Sequence, residues 1–290
     1  MKKQISPNIT AHLIRGAFYL LLLLAVSVIP FALAQRTTAK GTRTATVITV
    51  TNGNDSGPGS LRQALADANN GDTIDFAVTG TIGLTSGELL VTRSITISGP
   101  GAENLAVNGN AKSRVFHIVS GQTVTISGLT IAHGTGGGIY NDHAMLTLSN
   151  CVVTGNSGGG IHNDGTNIDG HATLQINNSL ITNNSGGGIY NDAIQAGTAM
   201  LVITYSTLSN HSDDAINNHA WSCLFCGNGT TSVQITNSSI VGNGNAIYSD
   251  TGRQNCGGNG CPVTISITNS TISGNGGGVH NSTQSDTVVE

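Results

Sequence analysis

Three aspartates recur at one offset: Asp142, Asp164 and Asp192 each stand three residues after an isoleucine, namely Ile139, Ile161 and Ile189. If the chain stacks coil upon coil, these carboxylates form a column a few ångströms apart, and like charges that close repel. A calcium ion, which takes several oxygen ligands, would relieve the repulsion and makes Asp142, Asp164 and Asp192 a candidate calcium set. The plainer reading gives each Asp to its own turn backbone. The calcium-binding nonapeptide Gly-Gly-x-Gly-x-Asp does not occur.

One position after each isoleucine come Tyr140, His162, Tyr190, Asn217, Tyr248 and His280. Strand alternation turns the isoleucine inward and this position outward, which predicts an exposed stripe of Tyr and His beside the Asp column. Such a stripe, with acceptors next to it, can stack on sugar rings. The same residues also suit ordinary packing between neighbouring strands. The candidate ligand-binding set is therefore Tyr140, His162, Tyr190 and Tyr248 with Asp142, Asp164 and Asp192. The other histidines, His117, His133, His143, His171, His211 and His219, fall at different coil positions; solvated turns explain most of them, and His211 occupies an Asn-column position.

Catalysis has weaker support. Asp213-Asp214-Ala215-Ile216 resembles the Asp-Asp element of polygalacturonase-like hydrolases, in which one carboxyl protonates the leaving group and another activates water. The accompanying Gly-His-Gly and Arg-Ile-Lys elements are absent, and the pair sits where other coils carry Gly-Gly, so a degenerate turn competes with a catalytic Asp213/Asp214 pair. Proton abstraction beside a uronate needs a cation, and after Arg114 the only basic residue is Arg253.

Four cysteines fall in two neighbouring loops: Cys223 and Cys226 in one, Cys256 and Cys261 in the next. They can form two disulfides or a four-thiolate zinc site, and export favours disulfides. Cys151 aligns with Ser179, Ser206, Ser238 and Ser270 and reads as a small packed residue.

The elements that must position these groups follow from repetition. The isoleucine position recurs as Ile139, Ile161, Ile189, Ile216, Ile247 and Val279, at spacings of 22, 28, 27, 31 and 32 residues. Upstream of each lies an apolar-x-apolar triplet: Val124/Ile126, Leu146/Leu148, Leu174/Ile176, Leu201/Ile203, Val233/Ile235 and Ile265/Ile267. Triplet and isoleucine are always 14 or 15 residues apart, whereas the return arc varies from 7 to 18. A third apolar column is Ile131, Val153, Ile181, Leu208, Ile240 and Ile272. Three short strands per coil, rich in β-branched residues and divided by Gly/Asn/Ser turns, describe an all-β, single-stranded parallel β-helix of about eight coils. Asparagine columns (150, 178, 237, 269; 156, 184, 243, 275; 141, 163, 191, 218, 281) suit sharp turns and coil-to-coil amide bonding.

Residues 1–34 read as a signal peptide: Lys2, Lys3 and Arg15 precede an apolar run from Ala17 to Ile29, and Ala32-Leu33-Ala34 offers a cleavage pattern. The run is short for a membrane span, so no stable insertion is expected after cleavage. Residues 35–45 read as a linker, 46–72 as an N-terminal cap with a short helix over Ser60–Asn69, 73–281 as the β-helix and 282–290 as a tail. Without the leader the chain carries 8 basic and 15 acidic residues, a net charge of about −7, which argues against nucleic acid as a partner. The open last coil is expected either to meet a partner along its edge or to mark a fragment.

Gly59-Ser60-Leu61-Arg62-Gln63-Ala64-Leu65, followed by Gly71-Asp72-Thr73-Ile74-Asp75-Phe76, resembles the N-terminal cap of bacterial secreted right-handed β-helix proteins with a CSLREAI-type signature. Gly59 stands where that signature has Cys, and Gln63 where it has Glu. Val153-Thr-Gly-Asn156, Ile181-Thr-Asn-Asn184 and Ile272-Ser-Gly-Asn275, each followed by a Gly-rich turn, are similar to the repeats of polymorphic outer membrane proteins. The resemblance implies an exported or surface-exposed, right-handed, pectin-lyase-like β-helix with a capping helix, in a setting of adhesion or glycan contact. The leading expectation is a secreted or cell-surface, non-catalytic polysaccharide-binding protein with no cofactor, or with calcium. The alternatives are an extracellular polysaccharide lyase or hydrolase, and a purely structural surface protein.

Overall fold

The inward apolar columns do line up. The computed structural model describes residues 43–223, 227–251, 261–282 and 287–289. Among these, three parallel sheets of ten, eight and eight strands form, in each of which strands pair with those one coil away. A two-residue strand, Gly227–Asn228, adds antiparallel to the end of one strand of the third sheet. Eight coils are complete, from Thr73–Phe76 at the first to Gly277–Asn281 at the last.

The register matches the repeat at every step. Leu146 pairs with Val124 and Leu174 in the first sheet, Val153 with Ile131 and Ile181 in the second, and Ile161 with Ile139 and Ile189 in the third. These side chains are essentially inaccessible to water. Each contributes about 1.5–3 kcal/mol through burial, so the core is an additive stack rather than one central cluster.

Polar ladders run through this core. Asn141 Nδ2 donates to Asn163 Oδ1 at 2.7 Å, Asn163 to Asn191 at 2.7 Å and Asn191 to Asn218 at 2.8 Å. This column points inward from the third-sheet strands; it is not a turn column. A second ladder links Asn156 with Asn184, and Asn243 with Asn275, each at 2.9 Å. Only the column of Asn150, Asn178, Asn237 and Asn269 uses left-handed backbone, with φ between 45° and 53°. Cys151 begins a hydroxyl ladder: its N–H donates to Ser179 Oγ, and Ser179, Ser206 and Ser238 continue the pattern at 3.1 Å per step.

At the N-terminal end a helix spans Leu61–Asp67, with the Ser60 hydroxyl accepting from Gln63 N. It buries Leu61, Ala64 and Leu65 against Val47–Val50 and Leu89–Val91. Arg62 fastens it by donating to the Glu88 and Gly87 carbonyls and to Asp55 Oδ1, at 2.7–2.8 Å. Burial works against ionisation of Asp55, but bonds from Ser86, Arg62 and Thr85 hold its carboxyl well below the usual range. Gly59 has φ +79°, and a β-carbon there would lie 2.3 Å from Thr51 Oγ1. The local backbone therefore calls for glycine at the position where the resembled cap signature has Cys.

The leader and most of the predicted linker lie outside the described residues, as do Arg253, Cys226 and Cys256. Cys261 is disulfide-bonded. Cys151 is free and buried, as expected of a packed residue. Among the described residues no helix is long and apolar enough to cross a membrane.

Candidate functional site

The third sheet carries the candidate residues on its outer face. Its strands are Leu89–Val91, Phe116–Ile118, Ile139–Asp142, Ile161–Asp164, Ile189–Ile194, Ile216–Cys223, Asn245–Asp250 and Gly277–Asn281. Register places Tyr140, His162, Tyr190, Asn217, Tyr248 and His280 in one outward column, and Asp142, Asp164, Asp192, His219 and Asp250 in the next. The sheet thus brings the stripe and the Asp column side by side.

Three histidines read from the sequence as scattered belong to this array. His117 pairs with Tyr140 and extends the stripe by one coil. It escaped the repeat because its inward neighbour is Phe116 rather than isoleucine. His219 pairs with Asp192 at the same offset of three from Ile216, a signal present in the spacing. His143 follows Asp142 in left-handed backbone, φ 50°, and folds back so that its Nδ1 lies 2.5 Å from Asp142 Oδ1. Its Nε2 meets the Thr166 carbonyl.

A diagonal rule organises the contacts. A stripe residue of one coil bonds the carboxylate of the following coil: His117 Nε2 to Asp142 Oδ2 at 3.5 Å, Tyr140 OH to Asp164 Oδ2 at 2.5 Å, His162 Nε2 to Asp192 Oδ2 at 2.8 Å. His219 Nδ1 approaches Asp192 from the other side at 3.0 Å. In the sixth coil the rule breaks, because His219 stands where an Asp would accept. Tyr190 OH instead donates to the Gly186 carbonyl of its own coil.

These partners set the electrostatics. Burial pushes the Tyr140 hydroxyl far up, and the bond to Asp164 and the Asp164 and Asp142 charges add to it. Burial would raise Asp164 and Asp192, yet both lie below the usual carboxylate range. Tyr140 and Thr166 hold the first down, His162 and His219 the second. Burial would lower His143, but the Asp142 bond, the Thr166 carbonyl and the two Asp charges raise it.

Asp142, His143 and Asp164 each offer one ligand atom within 4.8 Å of the others. Each of the four oxygens of Asp142 and Asp164 already has a polar partner: the His117 and His143 imidazoles on Asp142, the Tyr140 hydroxyl and Thr166 N on Asp164. Asp192, the third member of the candidate calcium set, is engaged by two imidazoles. An ion here would have to displace these bonds.

The rings lie against one another. Centroids are 5.0 Å apart for His117 and Tyr140, 5.2 Å for Tyr140 and His162, and 6.1 Å for His162 and Tyr190, with interplanar angles of 53°, 44° and 65°. Tyr248 and His280 stack at 5.2 Å beyond the Asn217 gap. The stripe therefore offers edges, hydroxyls and imidazole nitrogens more than open ring faces. Trp221, 41% exposed and 5.7 Å from His219, lies just beyond the Asp column.

Asp213 and Asp214 occupy the turn leading into the sixth third-sheet strand. Asp213 Oδ1 accepts from Asp214 N at 3.0 Å. Asp214 is buried, and its Oδ1 accepts from Asn245 N and Nδ2 at 2.9 and 2.6 Å. Both sit close enough to Tyr190 for their charges, after burial, to raise its hydroxyl.

Among the described residues, Arg114 brings a cation to the stripe. Arg114 Cζ lies 4.5 Å from the centre of the Tyr140 ring, and its guanidinium pairs with Glu88 at 3.2 Å. Glu88 also meets His117 at 3.0 Å. Beside His143, the 165–170 loop edges a cleft of about 500 Å³ lined by Ser120, Ile168, Asp169 and His171.

No protein-family model matches the sequence, and no curated protein matches it. The solved structures similar in fold include a pectate lyase and an alginate lyase. The crystal structure of pectate lyase Pel9A superposes with a TM-score of 0.50 at 16% identity, covering 85% of this chain and 79% of that one. The crystal structure of an alginate lyase from Paenibacillus sp. str. FPU-7 gives a TM-score of 0.46 at 14% identity, over 80% of this chain and 97% of that one. At 16% identity the likeness to Pel9A is one of architecture, and with the three parallel sheets it makes this chain an all-β, right-handed parallel β-helix of the pectin-lyase-like kind.

Proposed function

We propose that the chain is a secreted, non-catalytic β-helix that holds a neutral polysaccharide on the outer face of its third sheet. The diagonal array from His117 to His219 carries this reading. It sets hydroxyl, imidazole and carboxylate groups at one strand spacing, about 4.8 Å, along successive coils. A periodic line of donors and acceptors suits a polymer whose hydroxyls recur along its length. Among the described residues, Asp142, Asp164, Asp192 and Asp250 outnumber Arg114 on this face, so a neutral chain fits better than a polyuronate.

The test is a retention assay of the purified protein on neutral and acidic polysaccharides, with and without calcium, with parallel measurement of shortened products. The expected result is retention of a neutral polymer, independent of calcium and without products, weakened by Tyr140→Ala or Tyr190→Ala while the fold survives. Retention of acidic polymers only when calcium is present would give Asp142, Asp164 and Asp192 the metal role instead. Product release lost in Asp213→Asn or Asp214→Asn would make the protein a hydrolase.

A second reading has a specific observation behind it. Arg114 lies over Tyr140 beside His117, so a cation, a phenol and an imidazole meet on one face. That set can steady a uronate carboxylate while a base removes the neighbouring proton. Release of unsaturated products from pectate or alginate, abolished by Arg114→Ala, would establish a lyase.

A further inference from the structure

At the turn from the first sheet to the second, each coil from the third onward places one residue in left-handed backbone. These are Gly128 (φ 60°), Asn150 (53°), Asn178 (45°), Tyr205 (49°), Asn237 (50°) and Asn269 (48°). Glycine and asparagine enter this region readily, and a bulky side chain does so at a cost. Tyr205 is also 67% exposed, the most exposed large apolar side chain of the described residues. Burial therefore does not account for a tyrosine at this position.

What surrounds the ring does. Tyr205 closes one side of an open groove of about 380 Å³, whose other walls include Asn150, Asn178, Leu180 and Thr207. That volume lies within the range of small-molecule pockets, and among the described residues no charged side chain lines it. Asn178 Nδ2 donates to Asn150 Oδ1 at 2.6 Å. The amide pair thereby keeps Asn150 Nδ2 as a donor and Asn178 Oδ1 as an acceptor, both on exposed residues at the groove. An exposed aromatic ring beside one donor and one acceptor, with no net charge, matches a sugar: an apolar ring face with hydroxyls around its rim.

We propose that this groove is a saccharide-binding site, in which a neutral pyranose lies on the Tyr205 ring while adjacent hydroxyls bond Asn150 Nδ2 and Asn178 Oδ1. The site lies at the junction of the first and second sheets and does not rest on any role for the third. It also explains the departure from the column, since replacing Asn by Tyr costs backbone strain and supplies the ring.

Tyr205→Asn, which restores the residue of the neighbouring coils, separates function from structure. Binding of cellohexaose, mannohexaose and laminarihexaose is measured by calorimetry and ligand-observed NMR, alongside the thermal midpoint. The substitution is expected to hold or raise the midpoint while weakening binding about tenfold, the loss of one good ring contact. Tyr205→Phe keeps the ring and is expected to bind like wild type. Asn178→Gly keeps the left-handed turn, removes the acceptor, and is expected to weaken binding at an unchanged midpoint. The proposal is overturned if wild type binds none of the three sugars, or if Tyr205→Asn binds as well as wild type. Equally, loss of all binding in Tyr190→Ala with none in Tyr205→Asn would put the sugar on the third sheet alone.

Discussion

His211 occupies a core position that Asn156, Asn184, Asn243 and Asn275 hold in other coils, and the expected consequence is a fold that loses stability in acid. Its Nδ1 accepts from Asn184 N at 3.2 Å, and its own N–H donates to Asn243 Oδ1 at 3.1 Å, so the backbone ladder survives. The acceptor role of Nδ1 puts the proton on Nε2. That buried nitrogen nears the Ile181 carbonyl without completing a hydrogen bond, where the asparagines do complete theirs. Protonation would place a charge in the core and a second hydrogen on Nδ1, facing the Asn184 N–H. Burial therefore drops the imidazole to about 4 from the ordinary 6.5, and the nearby Ile181 carbonyl only partly opposes this.

The sign follows from proton counting. Between 6.5 and about 4 the unfolded chain binds a proton at His211 that the folded chain refuses, so stability is full above 6.5 and falls as pH drops toward 4. A shift of that size is worth roughly 3 kcal/mol at the acid end. His211→Asn fits the existing space, since Gly188 faces His211 as Gly160 faces Asn184, and it should remove this term. Urea midpoints of both proteins from pH 7 to 4 give the difference, in which groups shared by the two cancel. Parallel acid profiles would refute the argument.

His143 acts in the opposite direction. Because Asp142, Thr166 and Asp164 raise it despite burial, its stabilisation is complete below 6.5 and fades as pH rises through its folded value, so His143→Gln should flatten the alkaline side of the stability profile. Asn163→Ala deletes the donor to Asn191 Oδ1 and Met200 O and the acceptor for Asn141. A loss of about 2–4 kcal/mol is expected from the stranded buried groups, and a urea midpoint within error of wild type would contradict it. Gly165→Ala would put a β-carbon 1.9 Å from the Thr198 carbonyl oxygen. Backbone must shift, at roughly 1–3 kcal/mol, and the thermal midpoint should fall accordingly.

How much of this was legible beforehand depended on whether a residue's role is set by period or by contact. The inward columns were readable because isoleucine, triplet and third apolar position keep their offsets whatever the loops do, and in-register pairing follows from that alone. The earliest third-sheet strands were harder: Leu89 and Phe116 replace isoleucine, and the Gly-rich phrase is missing, so His117 lost its marker. His219 keeps the offset of three from Ile216, but it differs in type from the Asp it replaces, so residue identity hides its place in the column. His143 was not readable, since only its left-handed backbone turns the ring onto Asp142. The meeting of Arg114, Glu88 and Tyr140 spans three coils and has no local signature.

The Asp column shows how an in-register stack can tolerate like charges. In a parallel sheet each residue sits beside its own counterpart one strand away, so any repeated charge repels itself at every step. The diagonal pairing eases this by giving each carboxylate a polar partner from the coil before it: His117 for Asp142, Tyr140 for Asp164, His162 for Asp192. The alternation of Tyr and His in the stripe is then tied to the column next to it. Where the column changes to His219, the stripe residue before it, Tyr190, turns to its own backbone, and the stripe residue beside it is Asn217, which carries no ring. The two columns behave as one unit, and the unit ends where its acceptor ends. A change at any one of these positions should therefore be felt in the next coil, which makes Tyr140 and Asp164, rather than Asp164 and Asp192, the pair expected to couple in a double-mutant cycle.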